Sequence, residues 1–178
     1  MNPSLAFAGK QYLSVKGHEG KGLPVVARIV NLDDTSISNG VNDVFGYMVR
    51  FDKKDQNGLT TYWDANEGPF QIIRSVINKQ GVIGYYTNDS ANIVQTDVTI
   101  NTGKWYKITY QAFPEKHAVR FTVNTASNGG IVFDKIIPMN SSGLATGIYG
   151  LEFEVENNPS NSWLIDNVSF SSSSKPTQ

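Results

Sequence analysis

The feature that most constrains this chain is an alternation of apolar and polar side chains with a period of two residues. Residues 103–111 read GKWYKITYQ, residues 118–124 read AVRFTVN, and residues 163–170 read WLIDNVSF. Successive side chains of a β-strand point to opposite faces, so this period predicts strands that bury one face. We predict strands near residues 11–15, 25–31, 45–51, 59–63, 70–78, 82–87, 94–100, 105–112, 118–124, 131–137, 148–156 and 163–170.

Turn-forming residues separate the predicted strands. The clearest turns are KKDQNG at 53–58, NKQG at 78–81, NTG at 101–103 and NGG at 128–130. A strand and its turn take about 10–15 residues, which is typical of a two-sheet sandwich. We therefore predict an all-β fold, a two-sheet antiparallel jelly-roll β-sandwich. It forms a single module of residues 1–170, followed by a Ser-rich linker stub of residues 171–178 that indicates a larger modular parent.

Composition and charge exclude several classes of function. The chain of 178 residues has a net charge of −1 at pH 7 and no cysteine. Without cysteine there is no disulfide, no thiol catalysis and no Cys-containing zinc site. The near-neutral charge indicates neither a nucleic-acid partner nor an anionic membrane surface, and no apolar run approaches the ~20 residues that span a bilayer. We expect a secreted, extracellular module from a bacterium.

The order of short motifs from about residue 71 onward resembles a known family. These motifs are NKQG at 78–81, VIGYY at 82–86, GKWY at 103–106, RFTVN at 120–124 and IDNV at 165–168. Together they resemble the concanavalin A-like, laminin G-like jelly-roll modules of bacterial polysaccharide-active proteins. That fold is shared by lectins, carbohydrate-binding modules, glycoside hydrolases and polysaccharide lyases, so the resemblance implies a fold and a sugar-related function.

The resemblance also implies a structural Ca²⁺ near the chain ends. In such modules the aspartate of the terminal IDNV strand is commonly a ligand, and here that residue is Asp166. Calcium takes six to eight oxygen ligands, so other donors are needed, and Asp33, Asp34 and Asp43 are further acidic candidates. The alternative role for Asp166 is that of a turn or bulge residue that accepts hydrogen bonds from backbone amides.

Aromatic side chains are candidates for stacking against sugar rings. Trp63 lies beside the polar segment DANEG, and we predict it to be an exposed stacking platform, with Tyr62, Tyr85 and Tyr86 as secondary contacts. The alternative is that Trp63 belongs to the core, since tryptophan is highly buried on average. Trp105 and Trp163 each start an alternating strand, which favours packing roles for both.

Three arginines lie on separate predicted strands, at Arg50, Arg74 and Arg120. If they share one face with Gln71 or Glu154, they form a groove of fork-shaped donors. Such donors suit sugar hydroxyls and, still better, uronate carboxylates. The alternative is that these arginines form salt bridges with the glutamates of a neighbouring strand.

That glutamate strand reads Glu-x-Glu-x-Glu, with Glu152, Glu154 and Glu156 on one face. It resembles the Glu-x-Asp-x-Glu strand of laminarinase-like glycoside hydrolases, in which the first carboxylate is the nucleophile and the last is the acid/base. The resemblance would make Glu152 the nucleophile and Glu156 the acid, although Glu154 replaces the middle aspartate. The alternative is an exposed polar face paired with basic residues.

These observations favour a non-catalytic carbohydrate-binding module. It would bind a polysaccharide or oligosaccharide and target a covalently linked catalytic domain to that glycan. Trp63, Tyr62 and Tyr85 would stack on sugar rings, while polar side chains would bind hydroxyls; the latter are Arg50, Arg74, Arg120, Gln71 and Glu154. The alternatives are a glycoside hydrolase that uses Glu152 and Glu156, and a laminin G-like protein-adhesion module.

Overall fold

The part of the chain that the structure describes consists mainly of β-strands. The structure is a computed structural model and describes residues 12–16, 25–30, 42–52, 58–65, 71–87, 92–140, 149–155 and 162–173. The one helical element of these residues is a short 3-10 turn at Pro114–Lys116. The strands are β1 (Leu13–Lys16), β2 (Val25–Val30), β3 (Asn42–Phe51), β4 (Leu59–Ala65), β5 (Gln71–Ile77), β6 (Val82–Tyr86), β7 (Ile93–Thr99), β8 (Tyr106–Phe113), β9 (Ala118–Thr125), β10 (Ile131–Pro138), β11 (Tyr149–Val155) and β12 (Ser162–Ser173).

The strands form two six-stranded sheets, and every described neighbour pair is antiparallel. The first sheet has the order β1-β12-β3-β8-β9-β10, and the second has the order β2-β11-β4-β5-β6-β7. The predicted all-β, two-sheet antiparallel sandwich is therefore confirmed. β12 extends three residues beyond the predicted strand, because Ser171, Ser172 and Ser173 pair with β3. No helix among the described residues is long and apolar enough to cross a bilayer.

The core lies between the two sheets and is rich in aromatic side chains. Tyr47 of the first sheet meets Phe153 of the second edge-to-face, with ring centroids 4.9 Å apart. Phe51 packs on Trp163 at 4.8 Å, and both are fully buried. The packing role predicted for Trp163 is therefore confirmed. Aromatic pairs at these distances add about 0.5–1.5 kcal/mol beyond the area they bury.

A chain of buried hydroxyls also joins the two sheets. The Tyr47 hydroxyl lies 2.8 Å from Thr61 Oγ1 and 3.3 Å from the Tyr110 hydroxyl, which lies 2.6 Å from Ser75 Oγ. Tyr47 and Tyr110 belong to the first sheet, whereas Thr61 and Ser75 belong to the second. Buried hydroxyls are costly unless they are paired, so these contacts favour one relative placement of the sheets.

The turn between β5 and β6 forms where the sequence predicts it. Asn78 Oδ1 accepts hydrogen bonds from the backbone amides of Gln80 (2.9 Å) and Val82 (3.0 Å). Gly81 has a φ of +86°, and an added Cβ would lie 2.5 Å from the Ile100 carbonyl oxygen. Both the conformation and the close approach require glycine at this position.

Candidate functional site

The outer face of the second sheet gathers four polar and aromatic side chains from four strands. Within β4 and β5, the inward-facing Thr61 and Ile73 are buried, so their neighbours Tyr62 and Arg74 point outward, opposite one another in register. Ser75 pairs with Tyr85, which places Arg74 beside Tyr86 one step along. In β11, Glu154 lies between the buried Phe153 and Val155 and also faces outward. We call Tyr62, Arg74, Tyr86 and Glu154 the tyrosine–arginine cluster.

Arg74 lies between the two tyrosine rings of this cluster. Its Cζ atom is 3.9 Å from the centroid of Tyr86 and 4.9 Å from that of Tyr62. Both distances are within cation–π range, so the rings stabilise the guanidinium. Its Nε is buried without a hydrogen-bond partner, and no carboxylate in the described part of the chain lies within ion-pair distance. The cluster thus holds a cation that two rings position, and one of its N–H groups, at the buried Nε, is unsatisfied.

Glu154 supplies the complementary acceptor. Tyr62 donates its hydroxyl proton to Glu154 Oε2 over 2.5 Å. Burial, together with this hydrogen bond, holds the pKa of Tyr62 well above its usual range. Tyr62 therefore remains a neutral donor at physiological pH and orients the carboxylate, which has further lone pairs for a ligand.

Asn140 fixes the backbone under the cluster, and nothing in the sequence patterns points to it. It is buried, and its side-chain amide can donate to the Tyr86 carbonyl (2.8 Å) while its side-chain oxygen accepts from the Arg74 amide (3.2 Å). These contacts join β5 to β6 beyond their last paired residues. An asparagine that follows a strand reads only as a turn residue in the sequence, so its bridging role depends on tertiary structure.

The other two predicted arginines lie on the first sheet, on the opposite side of the molecule. Arg50 donates from Nε to Asp52 Oδ1 at 2.7 Å, and Arg120 makes a two-bonded contact with Asp134 at 2.8 and 2.6 Å. The hypothesis that the three arginines share one face is therefore wrong, because β3 and β9 belong to one sheet and β5 to the other. Their ion-pair partners are aspartates of their own sheet, not the predicted glutamates.

The predicted stacking tyrosines do not present open rings. Tyr85 is 9% exposed and belongs to the inter-sheet core, so its predicted sugar contact is wrong. Tyr62 is 7% exposed, with Arg74 against its ring, so it positions polar groups and does not stack on a ligand. Trp63 and Gln71 occupy β4 and β5, but their side chains lie outside the described part of the chain.

Known structures share this architecture, although no protein-family model and no curated protein matches the sequence. Lectin II from Ulex europaeus aligns with a TM-score of 0.63 at 12% identity, covering 93% of this chain and 88% of that one. The winged bean acidic lectin, solved with methyl-α-D-galactose, gives 0.64 at 10% identity, covering 91% and 86%. This chain has the legume lectin jelly-roll fold. A legume lectin-like domain from Entamoeba histolytica also aligns, at 0.61 and 10% identity over 93% and 85% of the two chains.

Within the legume lectin fold, the glutamate strand β11 lies between β2 and β4. Glu152 pairs in register with Arg28 of β2 and with Tyr62 of β4. The Glu152 side chain and all of Glu156 lie outside the described residues. Glu154 faces outward, and both the shared face of the three glutamates and the catalytic pairing of Glu152 with Glu156 stay predictions.

Asp166 lies in a bulge of the lectin-like sandwich. The pairing of β12 with β3 shifts register between Asp166 and Ser169, and Asn167 has a φ of +46°. Asp166 Oδ1 accepts a hydrogen bond from the Asn167 amide at 2.7 Å, which matches the alternative role of a bulge residue. No three His, Asp or Glu side chains converge within the described residues. Asp33 and Asp34 lie outside those residues, and calcium stays a prediction.

Proposed function

We propose that this chain binds carbohydrate through the tyrosine–arginine cluster on the outer face of the second sheet. One observation carries the proposal: a guanidinium that lies between two rings and has no ion-pair partner among the described residues stands beside an oriented carboxylate. Sugar hydroxyls donate and accept hydrogen bonds at once, so they complement this juxtaposition of donors and acceptor. The legume lectin fold supports the proposal.

The role of each residue follows from its contacts. Arg74 would donate to ring or hydroxyl oxygens of the ligand, or to a uronate carboxylate, and Glu154 would accept from a hydroxyl. Tyr62 and Asn140 would hold these two groups in place without touching the sugar. Because each sugar hydroxyl exchanges well-bonded water for a protein contact, the affinity of one site should be modest.

We further propose that the chain is a targeting module of a secreted bacterial polysaccharide-active protein. A binding site of modest affinity that is linked to a catalytic domain raises the local substrate concentration for that domain. This role needs no catalysis by the module itself.

The test is a glycan panel titrated by calorimetry, with and without calcium. The panel covers β-glucans, xylan, mannan, pectin, alginate and glycosaminoglycans. Arg74→Met should weaken the binding of the selected glycan by about 10–100-fold, the usual worth of a hydrogen bond to a charged group. Arg120→Gln is the matched control on the opposite sheet and should bind normally.

Three outcomes would overturn the proposal. Equal binding by Arg74→Met and wild type would show that the cluster is not the site. New reducing ends, or the ultraviolet absorbance of unsaturated uronates, would show that the chain is an enzyme. Glu152 and Glu156 would then be the first candidates for its catalytic residues. Binding to no glycan would favour the protein-adhesion alternative.

A further inference from the structure

The outer face of the first sheet carries a groove that the proposed function does not use. Two adjoining cavities of about 720 Å³ and 370 Å³ form it, and Thr125 and Ala126 line both. Ligand sites commonly have volumes of about 300–1,000 Å³, so this space can take a small oligosaccharide. We call it the outer groove. The polar residues of its larger cavity include Lys107, Thr109, Asn124, Thr125, Asn167 and Ser169, and the smaller cavity adds Lys104 and Ser127.

Local irregularities in two neighbouring strands shape one side of the outer groove. The bulge in β12 after Asp166 breaks the ladder with β3 and bends the strand. Opposite Ser169, β3 carries Gly46, where an added Cβ would lie 3.3 Å from Ser169 Oγ. The glycine therefore lets Ser169 pack closely on β3, and the buried Met48 forms an apolar part of the floor.

The turn between β9 and β10 forms the other side and is held by its own hydrogen bonds. Asn128 Oδ1 accepts from the Gly130 amide at 3.0 Å and from Thr125 Oγ1 at 2.5 Å. Asn124 Nδ2 donates to the Gly129 carbonyl at 3.1 Å. A wall that is already ordered lowers the entropic cost of binding a ligand.

The chemistry of the groove combines an aromatic ring with a cation. Tyr106 and Ile108 are buried in the core, so Trp105 and Lys107 point outward, about 6–7 Å apart along the backbone. Trp105 is partly exposed and lines the smaller cavity, whereas Lys107 lines the larger one. None of the described lining residues is acidic, and Lys107 forms no ion pair with any described carboxylate.

We propose that the outer groove is a second binding site, for an acidic oligosaccharide. One sugar ring stacks on Trp105, a carboxylate or sulfate of the chain meets Lys107, and the hydroxyl and amide side chains bind its hydroxyls. This site is independent of the tyrosine–arginine cluster, because the two lie on opposite sheets. Two sites that face away from each other let one molecule bridge two glycan chains.

The test titrates a short oligogalacturonate into the protein and follows the indole N–H signals of its tryptophans by NMR. Trp105→Phe identifies the Trp105 signal, which should shift on titration. Lys107→Gln should weaken the groove's affinity at least 10-fold, whereas Lys135→Gln, a matched lysine on edge strand β10, should not. A neutral cello-oligosaccharide of the same length should bind the groove more weakly.

The variants separate this proposal from the function proposed for the cluster. Arg74→Met should leave the Trp105 shift intact, and Lys107→Gln should leave the binding that depends on Arg74 intact. A Trp105 signal that does not move with any acidic oligosaccharide overturns the proposal. So does a Lys107→Gln variant that binds as tightly as Lys135→Gln.

Discussion

Removal of the Tyr110 hydroxyl probes the contact between the two sheets directly. This hydroxyl lies 2.6 Å from Ser75 Oγ and 3.3 Å from the Tyr47 hydroxyl, and all three residues are buried. In Tyr110→Phe the Ser75 hydroxyl loses this partner, and a buried unsatisfied hydroxyl costs about 1–3 kcal/mol. The Tyr47 hydroxyl keeps its hydrogen-bonding partner Thr61 at 2.8 Å, so losing the contact with Tyr110 costs less free energy at Tyr47 than at Ser75. We expect an unfolding free energy lower by about 2 kcal/mol, which for a domain of this size lowers the melting temperature by about 4–8 °C.

A double-mutant cycle with Ser75→Ala makes this reasoning refutable. Urea denaturation, followed by tryptophan fluorescence, measures the unfolding free energy of each variant. Replacing both hydrogen-bonding partners by apolar groups is far less costly than removing one. The double variant should therefore be more stable than the sum of the single losses predicts, by about 1 kcal/mol or more. Strictly additive losses would show that the two hydroxyls do not interact and would refute the argument.

Three further predictions follow from local geometry. Gly103→Ala should cost about 1–2 kcal/mol for its positive φ, and Gly81→Ala should cost more, since its Cβ would also meet the Ile100 carbonyl; equal losses in urea denaturation would contradict this. Burial raises the pKa of Tyr110 from 10.0 to about 12. The neutral phenol therefore stabilises the folded state fully below pH 10, and this contribution to the free energy of unfolding is lost as the pH rises toward 12. Urea midpoints that stay constant over this range would contradict the prediction. Arg120→Gln should leave the melting temperature unchanged, because its ion pair is exposed; a loss as large as that of Tyr110→Phe would contradict it.

The strands themselves were predictable because their signal is local. Alternation marks which residues of a segment share a face, and turn residues mark where the segment ends. Membership in a sheet is not local. Arg50, Arg74 and Arg120 look alike as polar residues within apolar strands, yet β5 lies in one sheet and β3 and β9 in the other. Only long-range pairing, such as that between β12 and β3, decides this.

Periodicity also leaves open which of two faces is buried. Tyr85 and Tyr86 are adjacent, so one must point inward, but the pattern Val-Ile-Gly-Tyr-Tyr does not say which. In the structure Tyr85 enters the core, and Tyr86 packs on Arg74. The adjacent Trp105 and Tyr106 leave the same question open in the sequence. In the structure Tyr106 is buried, so Trp105 points outward.

The buried hydroxyls and the tyrosine–arginine cluster depend on the same strand register. Thr61 of β4 pairs directly with Ser75 of β5. The neighbouring pair in the same ladder is Tyr62 with Arg74, whose side chains lie on the outer face. A slip of one residue between β4 and β5 would turn the side chains of one strand to the other face, and either Thr61 or Ser75 would then lie on the outer face of the sheet. We therefore expect the variant with Tyr110→Phe and Ser75→Ala to show faster amide hydrogen exchange in β4 and β5 than its global stability predicts. Exchange that simply follows the global free energy of unfolding would show that apolar packing alone sets this register.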